Sequence, residues 1–91
     1  MTRSKWERLR AACFRRDGYC CRECIRYGRH VPAARAHHAW PVEGWPEYEH
    51  ELWNLVSLCE SCHDAMHERR SRRLTALGER WRRNVSPPGR E

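Results

Sequence analysis

No stretch of this chain is apolar for long enough to cross a membrane. The opening residues, Met1 to Arg10, are charged and lack the apolar segment of a secretory leader. Both absences lead to the expectation of a cytoplasmic protein whose thiols stay reduced. Lysine is almost missing: Lys5 stands alone beside seventeen arginines. There is no internal repeat, and no biased tract apart from the arginine-rich C-terminal part. Length is scarce too. Ninety-one residues make one domain, and a domain of that size buries too little apolar surface to be secure without a disulfide set, a metal or an oligomer. What the chain does have is six cysteines, six histidines and five tryptophans.

The net charge of +6 is unevenly spread. Residues 1–16 carry six basic and one acidic side chain, residues 17–68 four basic and nine acidic, and residues 69–91 eight basic and two acidic. An acidic middle is therefore flanked by two basic ends. For any single arginine, the base composition of the source genome accounts for the choice over lysine as well as phosphate contact does. Clustering at both ends points instead to a polyanionic partner, for which the planar guanidinium fork is suited.

Residues 4–15 read as a helix, with Ser4 and Glu7 in a capping-box pattern and Trp6, Leu9, Cys13 and Phe14 along one stripe. Asp17-Gly18 ends it. Residues 33–42 have extended character, residues 43–51 form a polar loop, and a short turn at 52–55 precedes a brief strand at 56–58. A helix is predicted over 60–69 and a basic helical extension over 69–83, where Leu74, Leu77 and Trp81 are spaced by three and four. Residues 85–91, with Pro87-Pro88-Gly89, read as a disordered tail. The domain is thus expected to span 1–84, with a core at about 5–67. Trp6, Trp53 and Trp81 are expected to pack the core.

Cys21-x-x-Cys24 and Cys59-x-x-Cys62 lie 34 residues apart. Two such pairs can close a tetrahedral site around a structural Zn2+, each pair presenting two sulfurs to one point. A disulfide framework would need an oxidising compartment. A redox CxxC would more naturally occur once, in a βαβ setting. Cys20 could replace Cys21, but a two-residue gap makes the tighter knuckle. Cys13 reads as a small core residue.

Zinc alone names no function, and the histidines carry more information. His63 and His67, four apart on a predicted helix, face one side and can share a metal. His37 and His38 are neighbours on a predicted strand and point to opposite faces. One can hold a metal while the other addresses a water. That division suits phosphodiester hydrolysis, which needs a base near neutral pH and a cation for the phosphate charge. His30 and His50 fit no such pattern.

The run Arg16-Asp17-Gly18-Tyr19-x-Cys21-x-x-Cys24, then His37-His38, Asn54-Leu55 and Leu58-Cys59-x-x-Cys62-His63, resembles the HNH endonucleases. The resemblance covers roughly residues 5–67. It implies a small α+β domain of the ββα-metal (His-Me finger) type, braced by a four-cysteine zinc site and flanked here by N- and C-terminal helices. It implies His38 as general base, and His37 and His63 as ligands of one catalytic divalent metal, with His67 as a third. Asn54 would fix the loop between the strands or bind the metal. Histidine at position 37, where aspartate is commoner, makes a softer, neutral site that favours Mn2+, Ni2+ or Zn2+ over Mg2+.

The expectation is a divalent-metal-dependent DNA endonuclease that leaves 5′-phosphate and 3′-hydroxyl ends and nicks one strand per site. Double-strand cleavage would then need a dimer or a protein partner. Arg69, Arg70, Arg72 and Arg73 are expected to contact the phosphate backbone. So small a chain leaves little for base readout, so weak sequence preference is expected. Small free-standing HNH proteins are similar to phage packaging, homing-type and restriction nucleases. The competing reading is a non-catalytic zinc module that binds nucleic acid or protein. The glutamates Glu43, Glu47, Glu49 and Glu51 read as a solvated loop that turns substrate to the other side. Trp40 and Trp45 read as loop anchors.

Overall fold

Ser4 opens the first helix in both directions of a capping box. Its hydroxyl accepts from the Glu7 amide, and the Glu7 carboxylate accepts from the Ser4 amide. The computed structural model describes residues 3–88, and in it this helix, α1, spans Lys5–Arg16. Two consecutive left-handed residues, Gly18 at φ 64° and Tyr19 at φ 63°, then reverse the chain. The Tyr19 amide returns to the Phe14 carbonyl, which closes the helix end. The reversal delivers Cys20 and Cys21 to a single turn of helix, α2 (Arg22–Ile25).

Strand β1 (Arg35–His38) pairs antiparallel with β2 (Leu55–Leu58), with His37 opposite Val56 and His38 opposite Leu55. Between them run two 3-10 turns, Pro46–Tyr48 and Leu52–Asn54. Helix α3 (Glu60–Asp64) follows β2 directly, and α4 spans Ala76–Asn84. The fold is the expected small α+β domain, with the ββα unit made by β1, β2 and α3.

All four residues of β2 are buried, because the two-stranded sheet is covered on both faces. On one face Ser57 meets Cys13 of α1, with Sγ and Oγ 3.3 Å apart, and His38 meets Trp6. On the other, Val56 and Leu58 join Cys21, Cys24, Met66 and Trp81 in the apolar core. Period-two alternation along β1 therefore sends His38 toward α1 and His37 toward the opposite layer. The hinge between α1 and the sheet is polar. The Asp17 carboxylate accepts from the Ser57 amide and is paired with Arg16, and Arg16 also donates to the Leu52 and Leu55 carbonyls.

The C-terminal half departs from the sequence prediction. The helix predicted over 60–69 ends at Asp64, and the extension predicted over 69–83 begins at Ala76. Between them His67 and Leu74 form an isolated antiparallel bridge, which makes residues 68–73 a tight loop with Arg72 in the left-handed region at φ 60°. The physical reason is Met66. It is fully buried, and seating it in the core turns the chain before the helix can continue. Thr75 then ties the two segments together. Its hydroxyl donates to the Ala65 carbonyl and accepts from the Gly78 amide, which makes it the N-cap of α4.

Helix α4 docks through Trp81, whose indole N–H donates to the buried Glu23 carboxylate at 2.9 Å. Beyond it, Val85 packs on the core and accepts from the Trp40 indole, and Pro87 is buried. The predicted disordered tail is thus ordered through 88, and residues 89–91 lie outside the described residues. Of the three tryptophans expected in the core, Trp81 is buried while Trp6 and Trp53 are half-buried.

Candidate active site and metal centres

The four sulfurs of Cys21, Cys24, Cys59 and Cys62 all lie within 4.8 Å of one another. Cys24 Sγ is 3.9 Å from that of Cys59 and 3.7 Å from that of Cys62. A tetrahedron with metal–sulfur bonds of about 2.3 Å has edges of about 3.8 Å. A disulfide would need about 2.05 Å, and all six cysteines are free. The geometry fits a four-thiolate metal and excludes a disulfide framework among the described residues. Burial, reinforced by the neighbouring thiols, pushes Cys24 and Cys62 up from the usual thiol range. So dense a thiol group gains from a cation that would hold it as thiolate. Cys21 takes the corner, and Cys20 instead bridges to Pro32.

On the same layer of the sheet, three histidines converge. The His37 ring lies 5.6 Å from that of His63 and 5.5 Å from that of His67, edge to face, and His63 and His67 are 6.5 Å apart. The convergence does not come from i, i+4 spacing on one helix as predicted. His63 is in the last turn of α3, and His67 reaches the group from the bridge after it. His37 is 2% exposed, and its Nε2 is buried with no hydrogen-bond partner. Burial, followed by the nearby His67, His63 and His38, lowers the His37 pKa to about 3. His67 is lowered as well, first by burial and then by His63. A ring held neutral, with an unpartnered nitrogen and two more imidazoles beside it, is of a kind that could ligate a divalent metal in the tautomer that leaves this nitrogen its lone pair. Leaving that nitrogen unpaired costs on the order of 1–3 kcal/mol, which a bound cation would recover.

His38 faces the other way, yet opens on the same cleft. That cleft, about 920 Å³, is lined by His37, His38, His63, His67, Arg69 and Arg72, with Glu43, Asp64 and Glu68 on its walls. His38 Nε2 lies 3.0 Å from the Glu49 carbonyl oxygen. A carbonyl has no proton to give, so Nε2–H is the donor. In the neutral ring Nδ1 then keeps a lone pair for an incoming proton. Glu49 sits in a loop held by Asn54, which is fully buried. Its Oδ1 accepts from the Trp40 amide at 2.7 Å, and its Nδ2 donates to the Trp40 and Tyr48 carbonyls, each at 3.1 Å.

The model of the HNH endonuclease family matches residues 19–69, more than half of the chain. The chain belongs to the HNH endonuclease family. A solved structure, the HNH endonuclease of the deep-sea thermophilic bacteriophage GVE2 with manganese ion, is similar at 31% identity and a TM-score of 0.64. The likeness covers 68% of this chain and 67% of that one. No curated protein sequence matches.

Within this HNH domain the residues read from sequence do not all fall at one place. His37, His38, His63 and His67 line one cleft, and the four cysteines cluster separately on the layer of the sheet that His37 faces. Asn54 touches neither centre's ring of donors; it clasps the interstrand loop instead. Of the arginines, Arg69 and Arg72 line the cleft, while Arg70 and Arg73 are exposed on the same loop without lining it. His30 and His50 are exposed and apart from the site. Glu43, read as part of a loop turned away from substrate, is on the cleft wall. Two contributors had no signature in the sequence: the Glu49 carbonyl, a backbone group, and Trp6, which stacks on His38 with ring centroids 5.4 Å apart and planes 22° from parallel.

Proposed function

We propose that this protein is a divalent-metal-dependent DNA endonuclease in which His38 is the general base. The observation that carries this reading is the relation of the two adjacent histidines. His37 has an unpartnered nitrogen beside two more imidazoles, and His38, whose Nε2 is taken by the Glu49 carbonyl, lines the same cleft from the opposite face of the strand. Family membership and the likeness to a phage HNH endonuclease solved with manganese ion support it.

His37, His63 and His67 would hold the catalytic ion, and Cys21, Cys24, Cys59 and Cys62 a structural Zn2+. When bound, the ion at the histidines would offset charge on the scissile phosphate and the departing 3′ oxygen. His38 takes the proton of the attacking water at Nδ1 while Nε2–H stays on the Glu49 carbonyl. Asn54 keeps that carbonyl in place through the Trp40 and Tyr48 backbone. Arg69 and Arg72 bind phosphates at the cleft, and Arg70 and Arg73, on the same loop, extend the contact along the backbone. With one such site per chain, the product is a nick with 5′-phosphate and 3′-hydroxyl ends. Double-strand cleavage would need a second copy or a partner. A chain of 91 residues leaves little beyond the catalytic unit for base readout, which argues for weak sequence preference.

The test is supercoiled-plasmid cleavage by the zinc-loaded protein in EDTA, Mg2+, Mn2+, Ni2+, Zn2+ and Ca2+, with His38→Ala and His37→Ala alongside. Nicked circles that require a metal and vanish in both variants are expected. Folded, metal-loaded protein that binds plasmid but never nicks it would make the chain a non-catalytic zinc module.

A further inference from the structure

The family match begins at residue 19, so α1 lies outside it, yet α1 places a side chain against the candidate base. We propose that Trp6 is a positioning residue for His38, one that rests on the reading of His38 as general base. The Glu49 carbonyl holds the His38 ring at one atom, Nε2. With the ring also tethered through Cβ, the remaining freedom is rotation about the Cβ–Cγ bond, which keeps Nε2 nearly in place and swings Nδ1. A near-parallel indole at 5.4 Å removes that freedom, because it sets the plane of the imidazole. Together the two contacts decide where Nδ1 points.

The helix is built to hold the indole there. The capping box at Ser4 and Glu7 orders the first turn, which contains Trp6. Farther along, Arg10 donates to the Ala34 carbonyl at the foot of β1, Cys13 contacts Ser57, and Arg16 donates to the Leu52 and Leu55 carbonyls. Helix α1 is therefore fastened to both strands along its length, and Trp6 is its free end reaching the site.

The experiment measures single-turnover cleavage at saturating protein, with DNA affinity measured separately in EDTA, for Trp6→Leu and Trp6→Phe. Leu9→Ala serves as a variant that disturbs α1 packing away from the site. The misplacement of a reacting group costs large factors, so Trp6→Leu should slow cleavage about tenfold or more with affinity unchanged. Trp6→Phe, which keeps an aromatic face, should recover most of the rate. In the intact protein the His38 ring protons should be shifted upfield by the indole and show Overhauser contacts to it, a readout that needs no activity and no variant to fold. A wild-type rate in Trp6→Leu, equal loss in Trp6→Phe and Trp6→Leu, or no ring-current shift at His38 would overturn the proposal while His38→Ala remains inactive. A His38→Ala protein as fast as wild type would overturn the base assignment itself, and Trp6's role with it.

Discussion

The Asn54 side chain and the Trp40 backbone are locked together from both ends of the amide: Oδ1 accepts from Trp40 N–H at 2.7 Å and Nδ2 donates to Trp40 C=O at 3.1 Å. The residue sits between β1 and the loop that carries Glu49, so it joins fold stability to the orientation of His38. Asn54→Ala strips the half-buried Trp40 amide and carbonyl of the partner they have here and leaves the Tyr48 carbonyl only the Glu51 amide. The expected cost is about 2–4 kcal/mol in urea unfolding, with cleavage lost beyond that explained by unfolding. Asn54→Asp turns the Nδ2 donor into an acceptor facing two carbonyls and should be at least as damaging. Equal stability in Asn54→Ala and wild type would refute this account of the clasp.

Gly78 sits where α4 crosses the turn after α3. A Cβ there would lie 2.3 Å from the Met66 carbonyl oxygen and 2.8 Å from Leu74. A backbone oxygen cannot move aside as a flexible side chain can, so Gly78→Ala should push α4 off the core at a cost of roughly 1–3 kcal/mol. Gly44 has open space around its Cβ position and no positive φ, so Gly44→Ala should be close to neutral. Thermal melts of the two variants side by side check this.

The two cysteine-rich turns make a sharper contrast. Cys21→Ser should lose bound zinc and the melting transition together, because the metal site supplies folding free energy a domain this small lacks. Cys20→Ser should keep one zinc per chain and the wild-type melting temperature. Zinc stoichiometry by mass spectrometry under native conditions, with and without chelator, separates the two. A wild-type zinc content in Cys21→Ser would move the ligand to Cys20.

His37 ties stability to pH. Its pKa falls from 6.5 to about 3 on folding, so between those values the unfolded chain binds the extra proton. Stability from this group is therefore complete above pH 6.5 and drains away as the pH falls toward 3. The slope approaches about 1.4 kcal/mol per pH unit once the unfolded ring is fully protonated. His37→Gln, which cannot take the proton, should flatten the stability curve between pH 6.5 and pH 5 relative to wild type. Parallel curves for the two proteins would show that His37 is not buried and neutral.

Arg69 and Arg72 line the cleft, whereas Arg70 and Arg73 stand clear of it. Replacing Arg69 or Arg72 by Gln should weaken DNA binding for all sequences alike and reduce the slope of log affinity against log salt by up to about 0.9 per lost phosphate contact. Arg72→Gly removes the same charge while relieving a left-handed backbone, so it should bind as poorly as Arg72→Gln but melt no lower. Fluorescence anisotropy in EDTA across a salt series reads both effects. A salt slope unchanged in both cleft variants would place the duplex elsewhere.

Much of the site was legible because its residues are tied to local signals. Ser4 and Glu7 marked the start of α1, the CxxC spacings marked the two knuckles, and the His37-His38 pair announced its opposite-facing roles by strand alternation alone. The C-terminal half was less legible. Leu74, Leu77 and Trp81 keep helical spacing across a break that only Met66's burial explains, and Thr75, a good N-cap type, was the one local hint of a fresh helix start. Residues 85–88 differ from the expected tail for a similar reason. Pro87-Pro88 suggests disorder, but Val85 and Pro87 find places on a body assembled from distant segments.

Sequence alone determined the chemistry available to this protein: four thiols in two short turns, adjacent histidines of opposite facing, and arginine at both ends. Those depend on residue type and on backbone periods of a few residues. Tertiary structure decided which groups meet. His67 joins His37 by a bridge after α3 and not by helical spacing. Nδ1 of His38 is the free nitrogen because a backbone carbonyl eleven residues away takes Nε2. Trp6 reaches the site from a helix outside the matched family region. Contacts between segments far apart in the chain depend on how the core packs, and no local pattern encodes that.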